Sequence, residues 1–261
     1  MFNSRIAFKL AFALTVFLSL TRTATAATPS FRFFTDAHPV GSATTIALTL
    51  SSAVNSGDLI LCFTSYGSAS QVLSTMADSV NGAYTQIATG SPVSGNSSSQ
   101  YVHYFLNSSA GTPTITFTTD GTSVGSRFMT CVVYENVLAL GFNVSAGQAQ
   151  TNPGTGADAV SSGATAATAE ANEMAICGST LNNGSPTLTV GTILTWVQRD
   201  NDAGSGSVMG VSEVVIPASA TVTCTWTTNS ASADSLTQVA VFKGTASGGG
   251  AARNCLLMGV C

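Results

Sequence analysis

The chain has 261 residues, with 8 Lys and Arg against 12 Asp and Glu and a formal net charge of −4. Only 8% of its residues are charged, against about 25% in an average soluble domain. The 44% apolar content excludes a charge-rich disordered chain, and its few scattered cations exclude a nucleic-acid surface, which needs clustered positive charge.

Residues 1–26 read as an export signal. Arg5 and Lys9 supply positive charge, residues 10–20 are an apolar run, and Ala24-Thr25-Ala26 is a small-x-small cleavage site. The run falls short of the ~20 residues that cross a bilayer, and no later stretch is long enough. Cleavage after Ala26 removes Arg5, Lys9 and Arg22 and takes the net charge from −4 to −7. The expected location is outside the cell or on its surface.

The first predicted strand, residues 31–35 (FRFFT), stops at His38-Pro39. Residues 43–50 (ATTIALTL) alternate and are β-branched, which reads as a second strand. Ser56-Gly57-Asp58 then turns into an unbroken apolar run at 59–66 (LILCFTSY). Strands at 72–78 and 83–87 flank Asn81-Gly82, a two-residue hairpin signal. A Gly/Ser/Asn loop covers 90–99. Strands follow at 100–106 (QYVHYFL), 114–119 (TITFTT) and 127–134 (RFMTCVVY).

The same order then recurs. Residues 160–168 answer 43–50, and 174–180, opening with Glu173, answer the run that opens with Asp58. Residues 193–198 answer the strand at 83, 208–216 answer 100–106, 221–227 answer 114–119, and 236–242 answer 127–134. Between the halves, residues 136–158 are Gly/Ala/Asn-rich with an Asn152-Pro153-Gly154 turn, and 138–146 reads as a strand crossing between sheets. Short strands with turn signals between them and no helical period predict an all-β fold. The expected architecture is a β-sandwich of jelly-roll type over 27–245, built from two similar halves, 31–136 and 140–244. The alternative is two tandem immunoglobulin-like domains. Residues 246–261 form a Gly-rich linker and a short apolar tail.

Cys62, Cys131, Cys177, Cys224, Cys255 and Cys261 are an even set in an exported chain, which makes all six disulfide candidates. Six cysteines allow fifteen connectivities, and buried free thiols are the competing reading for the four in strands. With no CxxC spacing and two histidines, a zinc site is not expected.

Gly57-Asp58-Leu59, the hairpin Asp78-Ser79-Val80-Asn81-Gly82-Ala83-Tyr84, the Thr-x-Thr strands and the closings Tyr134-Glu135-Asn136 and Phe242-Lys243-Gly244 together resemble a broad family of exported bacterial and phage-encoded β-sandwich modules. Two departures are visible. The hairpin exchanges Asn and Gly, and Asn136 stands where the family has Gly. The resemblance covers about 42–244 and implies a secreted surface or adhesive module. It brings no catalytic residues.

Candidate chemistry is thin. Asp36 and His38 would offer two metal ligands and lack further ones, so a turn acid and a pre-proline histidine are the better reading. His103 shares its strand face with Tyr101 and Phe105, as a structural histidine does. No Gly-x-Ser-x-Gly elbow supports a Ser-His-Asp triad. A glycosidase needs two carboxylates in one cleft, whereas Asp58 and Glu173 read as turn acids. Asp78, Asp120, Asp200, Asp202 and Asp234 lie in loops able to hold calcium through oxygen ligands. Among Tyr66, Tyr84, Tyr101, Tyr104, Trp196 and Trp226, a sugar-stacking site would use Tyr101, Tyr104 and Trp196, with core packing as the competing role. Asn96, Asn107, Asn143 and Asn183 match glycosylation acceptors. The expectation is a secreted, non-catalytic structural or adhesive protein that presents loops 90–99 and 200–207 or self-associates through strand edges. A carbohydrate-binding module is the alternative and an extracellular hydrolase the third reading. Expected partners are the chain itself or a cell-surface glycan, with no nucleic acid and no membrane span.

Overall fold

Alternation marks strands that bury one face, and unbroken apolar runs mark strands that bury both. The computed structural model contains both kinds. It describes residues 27–245 apart from 68–73, 88–90, 92, 96–97, 122–123, 169, 183–186, 205–206, 218 and 231–233. The expected export signal and C-terminal tail lie outside the described residues.

In the first half the strands are β1 (Ser30–Ala37), β2 (Thr45–Thr49), β3 (Leu59–Gly67), β4 (Ser74–Asp78), β5 (Gly82–Ala83), β6 (Thr85–Gln86), β7 (Val93–Gly95), β8 (Ser98–Phe105), β9 (Thr114–Thr119) and β10 (Gly125–Glu135). An inner sheet runs β1-β10-β3-β8-β6, with β7 also on β8, and an outer sheet runs β2-β9-β4-β5. The pairings nest: β1 with β10, β2 with β9, β3 with β8, β4 with β5. That nesting is a long hairpin rolled into two sheets, the jelly roll.

In the second half the strands are β11 (Val137–Gln150), β12 (Gly156–Ala164), β13 (Glu173–Asn182), β14 (Leu188–Val190), β15 (Val197–Gly204), β16 (Ser207–Ile216), β17 (Thr223–Thr228) and β18 (Asp234–Gly244). Their sheets run β11-β18-β13-β16-β15 and β12-β17-β14. This is the order of the first half, with β15 standing where β6 stands and β5 and β7 without counterparts among the described residues. Among the described residues all pairings are antiparallel, and no strand is paired into a sheet of the other half.

Three apolar clusters hold four layers together. Ile46 and Phe117 of the first outer sheet pack on Ile60, Cys62 and Val133 of its inner sheet. Val222 and Trp226 pack on Cys177 and Val241 in the second half. Between the two inner sheets lie Leu59, Leu61, Phe63, Val132, Ile176, Val211 and Phe242. The all-β sandwich expected from the sequence is therefore present, with one roll per half and the inner sheets back to back. Both faces of β3 and β13 are covered, which explains their unbroken apolar runs. In β9 the burial alternates residue by residue, as a strand with one wet face requires.

Several local expectations need correction. Residues 138–146 do not cross between sheets: they belong to β11, an edge strand paired to β18. Residues 83–87 split at Tyr84, with β5 in the outer sheet and β6 in the inner one. The hairpin loop is Ser79-Val80-Asn81, because Asp78 pairs with Gly82 at φ +87. Asp78 organises that loop by accepting from the Val80 and Asn81 backbones, Asn81 Nδ2 and Tyr84 Oη. Asn136 takes φ +62, a left-handed conformation that Asn tolerates in place of Gly. Gly244 is confined by space, since a Cβ there would overlap the Ala27 carbonyl.

Candidate functional site

The face between the two inner sheets holds buried polar groups from both halves, among them Gln100, Thr130, Asp200, Glu213 and Gln238. β1 lies on β15, β10 on β16, β8 on β18, and β7 on β18 and β11. Equivalent contacts thus occur twice across this seam, and each time with different residues. Cys62 and Cys177 are equivalent, so Phe63 and Gly178 are too. They meet each other: a Cβ on Gly178 would overlap the Phe63 ring. Gln238 donates Nε2 to the Gln100 carbonyl at 2.8 Å, and the matching contact is Thr130 Oγ1 on Met209 Sδ at 4.0 Å. On one side Tyr104 stacks on Phe142 with ring centroids 5.4 Å apart, and Phe242 meets both edge-on at 5.6 and 5.8 Å. On the other, Glu213 accepts from Tyr134 Oη and Arg199, whose guanidinium lies 4.3 Å over Phe31. A large residue faces a small one and a donor faces an acceptor, so each half is complementary to the other rather than to itself.

Electrostatics follow from burial. Tyr134 is held well above the usual phenol range by burial, then by the Glu213 charge and hydrogen bond. Burial pushes Asp200 up to about 6, against the Thr130 Oγ1 hydrogen bond at 2.8 Å, and Asp36 and Asp202 add repulsion. Asp202 is raised as well, by burial first and Asp36 second, with His38 opposing. His103 is brought down to about 4 by burial, and its Nδ1 has no hydrogen-bond partner.

Asp58 and Glu173, which open the topologically matching strands β3 and β13, do not share a cleft. Asp58 is 2% exposed and accepts from Arg32 and from the Asn55 backbone N–H. Glu173 is 1% exposed and accepts Asn143 Nδ2 on both oxygens, at 2.8 and 2.9 Å. Arg32 and Asn143 follow the equivalent residues Phe31 and Phe142, so each acid fastens its own edge strand. Arg127 is a cation sequence reasoning passed over. It is buried and donates to the carbonyls of Val40, Gly41 and Thr45, which pins the 40–45 segment to β10.

The proposed sugar-stacking residues are not assembled into a platform. Tyr101 is 2% exposed inside the first roll, and Trp196 is 5% exposed inside the second. Tyr104 is half-buried, with its ring stacked on Phe142 at 5.4 Å. Trp226 is fully buried and donates Nε1 to Cys177 Sγ. Within the segments expected to be presented as loops, most of the described residues are strand: β7 and the start of β8 lie in 90–99, and β15 runs through 200–204. Asp200 is turned into the seam rather than toward solvent. Among the described residues no group of three or more His, Cys, Asp or Glu is arranged to hold a metal ion, and no helix is long and apolar enough to cross a membrane.

Of the six candidate cysteines, four form two disulfides. Cys62–Cys131 joins neighbouring strands β3 and β10, and Cys177–Cys224 joins inner strand β13 to outer strand β17. Cys255 and Cys261 lie outside the described residues. One cysteine is thus equivalent in both halves and takes its partner from a different strand in each. Sequence spacing could not reveal that choice.

No family model matches the chain, and neither a curated protein nor a solved structure does.

Proposed function

We propose that the chain is an exported, non-catalytic structural or adhesive surface module, made of two rolls of common descent. The observation that carries this reading is where the buried ionisable groups spend their bonding capacity. Asp58 is tied to Arg32, Glu173 to Asn143, Glu213 to Tyr134 and Arg199, Asp200 to Thr130, and Arg127 to three carbonyls. A catalytic acid or base must reach substrate, whereas each of these groups holds one part of the fold to another. The two disulfides agree with an oxidising compartment. The likeness to exported surface modules supports the same location. Exposed strand edges supply the means of attachment or self-association.

The test is expression of the whole chain with residues 1–26 in place. A mature product starting at Ala27, with both disulfides closed and recovered in surface or secreted fractions, supports the proposal. A product that keeps Met1 and reduced cysteines inside the cell counts against export. Turnover of any ester, peptide or glycoside by the pure protein would overturn the non-catalytic part.

A further inference from the structure

Asparagine is common at left-handed backbone positions, because its short side chain tolerates positive φ. Four described asparagines sit there: Asn107 at φ +58, Asn136 at +62, Asn152 at +47 and Asn172 at +61. Backbone conformation accounts for all four alike. Of the four, Asn107 alone has a hydroxyl residue two places on, at Ser109; the others have Leu138, Gly154 and Met174.

Asn107 lies in the segment between β8 and β9, and Ser108 fastens that segment to the turn ahead of β3. Ser108 is 1% exposed. Its N–H donates to the Asp58 carbonyl at 3.0 Å, its carbonyl accepts from the Gly57 N–H at 2.8 Å, and its Oγ donates to the Asn55 carbonyl at 3.0 Å. Asn107 and Ser109 flank this anchor and are both exposed. The Ser109 backbone N–H is held by Asn81 Oδ1 at 2.7 Å. Among the described residues neither the Asn107 carboxamide nor the Ser109 hydroxyl has a hydrogen-bond partner. The fold uses Ser108 and the conformation of residue 107, and leaves those two side-chain groups to solvent.

Asn143-Val144-Ser145 has the same spacing and the opposite environment. Asn143 Nδ2 is bonded to both oxygens of Glu173, which is 1% exposed, and Ser145 is 7% exposed. A group on that nitrogen would unpair a buried carboxylate. Asn96 and Asn183 lie outside the described residues. Transfer of an oligosaccharide to Asn-x-Ser requires the amide and the hydroxyl together at the surface of an exported chain, and the 107–109 segment presents both.

We propose that Asn107 is the acceptor for an N-linked oligosaccharide carried on a polyprenyl diphosphate, with Ser109 as the hydroxyl that the transferase reads. Asn107 Nδ2 bonds to the anomeric carbon of the sugar, the bond from that carbon to the diphosphate oxygen breaks, and the amide gives up one proton as the lipid diphosphate leaves. The proposal rests on the reading of the chain as exported.

The test is secretion of the whole chain from a eukaryotic host, behind the host's own signal, so that the chain meets the transferase whether or not residues 1–26 act in export. Peptide mapping after enzymatic glycan release in heavy-oxygen water marks each occupied asparagine. Asn107 should be marked and Asn143 unmarked. Ser109→Ala should abolish the mark at Asn107, and Ser109→Thr should keep it. Unglycosylated Ser109→Ala and wild-type chains should share one thermal midpoint, since the Ser109 hydroxyl holds nothing in the fold. A secreted chain with Asn107 unmarked, a mark that survives Ser109→Ala, or a mark at Asn143 overturns the proposal. Export by residues 1–26 is read in its own experiment, so failure here leaves the proposed function standing.

Discussion

At the residue scale the seam is coded by size. Phe63 fills the space that Gly178 leaves, at equivalent positions of the two rolls. Gly178→Ala should therefore cost about 1–3 kcal/mol by overpacking, measured by urea denaturation. Phe63→Leu in the same chain should recover part of that loss, giving a coupling of about 1 kcal/mol or more in a double-mutant cycle. Two buried titratable groups pull in opposite directions with pH. His103 sits near 4 in the folded chain, below its ordinary 6.5, so the unfolded chain gains a proton first and stability falls as pH drops from 6.5 to 4. Asp200 sits near 6, so the folded chain gains the proton first and stability rises as pH drops from 6 toward 4. His103→Phe should remove the acid loss. Asp200→Asn should raise stability at pH 7–8 by about 2 kcal/mol, and the gain should fade below pH 4. Thermal midpoints across this range separate the two.

At the element scale the strands were readable where solvent touches one face. TITFTT alternates in sequence and in burial alike. The runs LILCFTSY and EMAICGST announced burial on both faces, yet nothing in a run of apolar residues names what covers it. Polar segments misled for the same reason. β15 starts late in the strand expected at 193–198 and runs on through 200–204, expected as a loop, where Arg199 and Asp200 meet Glu213 and Thr130. Tyr101 and Trp196 suggested a sugar platform because their burial is decided by the second sheet of each roll, which sequence does not position. The disulfides show how the elements differ. Cys177–Cys224 ties the two sheets of the second roll together, while Cys62–Cys131 lies within one sheet. Closing loops of 47 and 69 residues, each should contribute about 4 kcal/mol on a chain-entropy basis. Cys177→Ser/Cys224→Ser should in addition loosen β12, β14 and β17 selectively. Amide exchange in those strands reads this out, and Cys62→Ser/Cys131→Ser should leave them unchanged.

At the scale of the whole molecule, β10 passes to β11 through Asn136 alone, so the rolls have no linker to separate along. Each inner sheet would expose a broad apolar face without the other. Leu59, Leu61, Phe63, Val132, Ile176 and Phe242 are all buried at this seam. The consequence is cooperativity: the two rolls should unfold as one unit, although each has its own sandwich core. Hydrogen exchange on the intact chain under rising denaturant tests this most directly. The inner strands β3, β8, β10, β13, β16 and β18 should open together, in a single slowest class. Loss of protection in β13, β16 and β18 while β3, β8 and β10 remain closed, or the reverse, would contradict a shared seam.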